Sequence, residues 1–166
     1  WQIDHTYADG YRLDAVKHFP PDFVGDLLDN AYDNGIAPGI VVGEFFDGNA
    51  GALAGWVNAV KASMDADTRS AIQPRVFDFS LRYNLEAASD AFGFDVRNVF
   101  NASLADAAGL SGFDVVTFVD NHDFRAPGSR VDNDPILAYA YILTNNQLGL
   151  PSVFYDDYYN KGLKPQ

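Results

Sequence analysis

Short apolar runs punctuated by Gly and Pro alternate along the chain with longer stretches whose apolar positions fall at helical spacing. Residues 1–7 are mixed and read as the tail of a helix, which Asp9-Gly10 breaks before a first strand at 11–14. Pro20-Pro21 then opens a helix in which Phe23, Val24, Leu27, Leu28 and Ala31 share one face, with Asn34-Gly35 as its stop. Pro38-Gly39 turns the chain into a second strand at 40–45, whose unbroken apolar character suits a parallel strand covered on both faces. A helix at 52–64 follows, striped by Leu53, Trp56, Val57, Val60 and Met64. The pattern predicts a third strand at 75–81, helical stretches at 83–92 and 99–108 separated by Gly93, and a fourth strand at 115–119. A polar loop at 126–134 leads into a very apolar helix with Pro135 in its first turn; Gly149-Leu150-Pro151 ends that helix before a fifth strand at 152–155.

Strands alternating with helices predict right-handed crossovers and a parallel sheet, in which chemistry gathers at the carboxyl ends of the strands. Several runs end on ionisable groups. Arg12 and Asp14 interleave with the first, and Lys17 and His18 follow at once; the second delivers Glu44; the fourth delivers Asp120-Asn121-His122-Asp123. A core strand has no use for so many charges. Two carboxylates flanking a glycosidic bond are what glycoside hydrolysis requires, and Asp14, Glu44 and Asp123 would supply a pair and a helper. The plainer alternatives are a structural Arg12–Asp14 pair, an exposed Glu44 and a core histidine at His122.

Composition narrows the partners. With 48% apolar and 14% aromatic residues among 166, the chain is globular rather than disordered. A formal charge of −12 opposes nucleic acid and anionic membranes, and suits a neutral polymer better. The acidity is almost all Asp, since Glu44 and Glu86 are the only glutamates; a solubilising surface explains it, or else a salt-rich habitat. Without Cys there is no disulfide, thiolate metal site or thiol nucleophile. No run approaches the roughly 20 apolar residues of a membrane span, and no signal peptide is visible. A complete (β/α)8 barrel takes about 250 residues; this chain starts at Trp1 without Met and stops at Lys164-Pro165-Gln166, which suggests a fragment.

Three stretches carry a resemblance. The run from Gly10 to His18 resembles the nucleophile motif of the α-amylases, Gly43-Glu44-Phe45-Phe46-Asp47 their acid/base motif, and Phe118-Val119-Asp120-Asn121-His122-Asp123 their third catalytic motif, in the family's order. The resemblance implies an α/β fold, a partial (β/α)8 TIM barrel of which the five strands are the fourth to the eighth, so that 1–166 is the C-terminal part of the catalytic barrel. It implies an endo-acting α-1,4-glucan hydrolase of the retaining type. Sister activities on the same site are cyclodextrin degradation and transglycosylation, and a non-catalytic carbohydrate-binding relative is an alternative of another class.

By the same resemblance Asp14 is the nucleophile, held ionised by Arg12, and Glu44 is the acid/base, kept protonated by an apolar setting that includes Phe45 and Phe46. Asp123 and His122 bind hydroxyls of the distorted sugar, while Lys17 and His18 contact the leaving-group side. The backbone carbonyl of His18 would complete a structural calcium site whose other ligands lie outside this chain. Trp56 reads as core rather than as a sugar platform, and His5 as surface. Tyr155-Asp156-Asp157-Tyr158 resembles a common ending of the last barrel strand, except that Asp156 stands where Gly is usual; Phe124 and Arg125 also depart from the common polar continuation. The expected partner is an α-glucan and the expected location extracellular.

Overall fold

The computed structural model describes residues 5–160, so most of the tail at 1–7 lies outside the described residues. His5 and Thr6 are helical, and His5 is exposed. The described residues contain one five-stranded sheet in the order β1-β2-β3-β4-β5, comprising β1 (Gly10–Leu13), β2 (Ile40–Gly43), β3 (Pro74–Phe77), β4 (Val115–Phe118) and β5 (Leu150–Ser152). Every pairing is parallel, with Tyr11 beside Val41, Val42 beside Arg75, Val76 beside Val115 and Val116 beside Leu150. This is a partial (β/α) barrel.

Helices return the chain from each strand to the next. The first, α1 (Pro21–Asp33), starts with Pro in its first turn and ends at Asn34 and Gly35, whose φ of 77° is the left-handed conformation that glycine accepts without strain. It packs on α2 (Ala50–Ser63), which is capped by the Asn49 side chain accepting from Ala52 N–H. Trp56 of α2 is 4% exposed and core, as expected. A Cβ at Gly43 would collide with its ring, so β2 ends on the one residue type that lets the tryptophan lie against the strand. A short α3 (Ala66–Ala71) leads to β3.

The third strand is shorter than its pattern predicts. Asp78 accepts a hydrogen bond from Leu81 N–H at 2.8 Å, and this cap starts α4 (Phe79–Asp90) at once, placing Ser80 and Leu81 in a helix. The predicted helix at 99–108 divides into a 3-10 turn (Val96–Asn101) and α5 (Leu104–Ala108), because Ser103 caps the second piece by accepting from Asp106 N–H. The apolar helix is α6 (Pro135–Thr144). The fifth strand falls two residues earlier than expected: Leu150 and Pro151 belong to it, and Tyr155 opens α7 (Tyr155–Asn160). Proline fits there because, among the described residues, β5 has a ladder on one side only.

Two apolar clusters fill the structure. The larger joins Val41, Val76, Val115 and Phe118 of the sheet to Val24 and Leu28 of α1 and to Leu53, Trp56, Val57 and Val60 of α2. The smaller packs Leu81 and Leu85 of α4 against Val119, Ala138, Tyr139 and Ile142. Among the described residues no helix is long and apolar enough to cross a membrane.

Candidate active site

The β1–β2 ladder continues past the strand ends. Glu44 N–H donates to Leu13 C=O at 2.8 Å, and Val16 N–H donates to Glu44 C=O at 3.0 Å. In a regular parallel ladder the second donor would be Ala15, so one extra residue is inserted opposite Glu44. Ala15 accommodates it with φ 51° and ψ 37°, a left-handed conformation that a Cβ makes costly. The bulge turns the chain directly after Asp14 into the 3-10 turn Val16–His18. Strand ends and bulge together set two carboxylates side by side at the carboxyl edge of the sheet.

Arg12 joins them. One terminal nitrogen of its guanidinium donates to Asp14 Oδ1 at 2.7 Å and the other to Glu44 Oε1 at 2.6 Å, so both acids meet on one planar fork. Burial opposes the charge on Arg12, but the hydrogen bonds and charges of Asp14 and Glu44 outweigh it and raise its pKa. Asp14 is the open partner, with 73% of its side chain exposed, whereas Glu44 has 8%. The expected apolar setting of Glu44 is therefore incomplete: Phe77 and Phe118 line the same cavity, but the carboxylate is also bound to a cation.

That cavity, of about 200 Å³, lies over the carboxyl ends of the strands, and Arg12, Glu44, Asp120, Asn121, His122 and Tyr155 contribute to its wall. Asp123 sits beyond it as a half-exposed partner of His122, with 3.3 Å between Nε2 and Oδ2, and its N–H is held by Asn121 Oδ1 at 2.9 Å. The structure thus brings Arg12, Asp14 and Glu44 into one bonded trio, and His122 and Asp123 into a second pair at the same rim. A larger cavity of about 570 Å³ opens at the opposite, amino end of β3 to β5. Its only ionisable lining group is Arg75, so it offers no acid–base chemistry.

Lys17 reaches from the 3-10 turn to the loop after Glu44, donating to Phe46 C=O at 2.9 Å and facing Asp47 at 3.7 Å. His18 is exposed beside it. Among the described residues no group of three His, Cys, Asp or Glu comes together to hold a metal. A calcium ion therefore finds no side-chain cage here, and the carbonyl of His18 alone does not make one.

Sequence reasoning gave no supporting role to five residues that hold this rim. Arg82, fully buried in α4, ion-pairs with fully buried Asp120 at 3.0 Å and with Glu86. Tyr139 donates to buried Asp157 at 2.7 Å and accepts from Phe154 N–H, clamping the loop after β5; burial, then the bond to Asp157, raises its pKa. The only advance signal was the i, i+4 spacing of Arg82 and Glu86, and that reads as an ordinary surface pair.

Parallel strands alternating with helices, and carboxylates collected at the strands' carboxyl ends, define the class: part of a barrel-type α/β fold with a candidate active site at its rim. Sequence comparison places it further. The α-amylase of Bacillus licheniformis is 33% identical over 165 residues, covering 96% of this chain and 29% of its own length. The α-amylase of Geobacillus stearothermophilus is 36% identical over 166 residues, 96% of this chain and 27% of its own. The cytoplasmic α-amylase of Escherichia coli strain K12 is 30% identical over 96% of this chain and 30% of its own length, and a cyclomaltodextrin glucanotransferase of Bacillus licheniformis is 27% identical over 89% and 19%. No family model matches the chain. The chain belongs to the α-amylase family, and it spans less than a third of the length of the curated relatives it matches.

Proposed function

We propose that this chain is the C-terminal part of a (β/α)8 catalytic barrel in an endo-acting α-1,4-glucan hydrolase that works by retaining double displacement. The observation that carries this reading is the single guanidinium of Arg12 bound at once to Asp14 and Glu44 on adjacent strand ends. Asp14, exposed and charged beside Arg12, attacks the anomeric carbon and forms a glycosyl ester. Glu44 delivers a proton to the departing glycosidic oxygen, and then takes one from the water that cleaves the ester. Asp123 and His122 bind sugar hydroxyls on the same rim, with contacts that tighten in the transition state. Lys17 and His18 meet the glucose units on the leaving-group side. The substrate is a neutral α-glucan, which a chain of formal charge −12 does not repel. Such a polymer is too large to enter a cell, so we place the protein outside it; the Escherichia coli relative is nonetheless a cytoplasmic one.

The test is Glu44→Gln in the full-length enzyme, expected to cut turnover on starch by several orders of magnitude with the fold unchanged. A wild-type rate in that variant would assign the proton transfer elsewhere. The first sugar released should keep the α configuration, read directly by NMR; a β product would exclude the double displacement. Lys17→Ala and His18→Ala should impair starch more than an activated short glycoside, because the latter needs little help on the leaving side. Equal losses on both substrates would contradict that placement.

A second reading is transglycosylation or cyclodextrin breakdown on the same site, favoured by the similarity to a cyclomaltodextrin glucanotransferase. A product profile on starch, pullulan and cyclodextrins separates the two. Starch binding without any release of reducing ends would instead support a non-catalytic carbohydrate-binding relative.

A further inference from the structure

Arg82 has no part in the chemistry above, yet its guanidinium is wholly enclosed and makes four hydrogen bonds. Nε donates to Val119 C=O at 3.1 Å, and one terminal nitrogen donates to Asp120 Oδ1 at 3.0 Å and to Ser129 C=O. The other reaches Glu86, and Cζ lies 3.5 Å from the centre of the Phe124 ring. Four of these five contacts fall on 119–129, the segment that carries His122 and Asp123. Within 122–128 Phe124 alone is buried, and it is covalently next to Asp123. Its ring also lies 5.9 Å from that of Phe46, two residues past Glu44. One buried cation and one ring thus fix the third carboxylate's loop and tie it to the loop of the second.

We infer that Arg82 is a positioning residue for His122 and Asp123, acting through Asp120 and Phe124; the inference rests on the function proposed above. A lysine would keep the charge but could not serve these four acceptors while lying over a ring. Its loss should therefore displace the rim without unpairing Asp120. A shift of about 1 Å in such a group costs on the order of 100-fold in rate.

The experiment uses the full-length enzyme with Arg82→Lys, Phe124→Leu, Asp123→Asn and the double variants. Arg82→Lys and Phe124→Leu, each measured well below its melting temperature and scaled to folded protein, should lower kcat by roughly 10- to 100-fold while KM moves by less than about 3-fold. Adding either change to Asp123→Asn should cost clearly less than the same change costs the wild type, the remainder passing through His122. The His122 imidazole resonance, assigned by its loss in His122→Asn, should shift in both variants. A lowered melting temperature with kcat, the cycle and the His122 resonance all unaffected would overturn the inference and leave Arg82 a structural ion pair, as would losses that multiply. Should Arg82→Lys fail to fold, Phe124→Leu carries the same readouts. If Asp123→Asn proves silent while the His122 resonance still moves, the positioning stands and the proposed function falls.

Discussion

Ala15 is the residue on which the geometry of Asp14 turns. A left-handed conformation costs an L-residue with a Cβ about 1–2 kcal/mol, and a β-branched one more. Ala15→Gly should raise stability by about 1 kcal/mol and Ala15→Val should lower it by at least as much, both read from denaturant melts; the reverse order would mean that the bulge is not retained. Asp78 poses a different problem. Fully buried, it accepts from Leu81 N–H and from Leu104 N–H at 2.9 Å, so one carboxyl caps two helices. Burial lifts its pKa from 3.8 to about 6, the two N–H donors pulling back and Asp106 pushing further up. Between those values the folded carboxyl holds a proton that the unfolded chain has released, so its contribution to stability is present below pH 3.8 and is lost as pH rises to about 6. The stability of the wild type relative to Asp78→Asn should therefore fall across that window, by up to about 3 kcal/mol, and level off above it; a difference independent of pH would refute the assignment. Asp14, Glu44 and Asp123 could be picked out beforehand because each interrupts or ends an apolar run. Arg82 could not, since its partner Asp120 is 38 residues away and nothing local marks the pair.

At the scale of elements, the strands and the helices α1, α2 and α6 follow from periodicity, and what escaped was where they end. Caps decided those ends: Asp78 cut β3 short, and Ser103 split the helix that the apolar spacing joined. Both are side-chain events that periodicity does not register. Contact between elements is equally specific. Gly43→Ala would drive a methyl into Trp56 between β2 and α2, and should cost about 1–3 kcal/mol with loss of activity, because Glu44 is the next residue; a second change, Trp56→Leu, should recover part of the stability. The departure at Asp156 also acquires a physical account. Its carboxylate accepts from Arg130 at 2.7 Å, while Arg130 Nε donates to Phe124 C=O, so the start of α7 is pinned to the loop after β4. The pair is partly exposed and contributes no more than about 1 kcal/mol, so Asp156→Gly should loosen the rim with little loss of melting temperature.

For the whole molecule, β1 and β5 are the outer strands of the sheet, and each offers a row of backbone donors and acceptors along its open side. Leu150 beside that edge and Ile136, Leu137 and Leu143 on α6 are each about half or more exposed. The 166-residue chain alone should therefore self-associate and hydrolyse starch negligibly, which sedimentation and a reducing-sugar assay would show; a monomer with a sharp melt and released maltooligosaccharides would contradict it. The order of the strands has a consequence of its own. Because position in the sheet follows position in the chain, β2 to β5 each pair with the strand made just before, and among these five strands none waits for a partner from far downstream. On the ribosome the sheet can grow by accretion from one side, domain parts folding as they emerge. The clasp of Arg12 on Glu44 joins residues 32 apart, so the two acids can be brought together while the loop bearing His122 and Asp123 has yet to be translated.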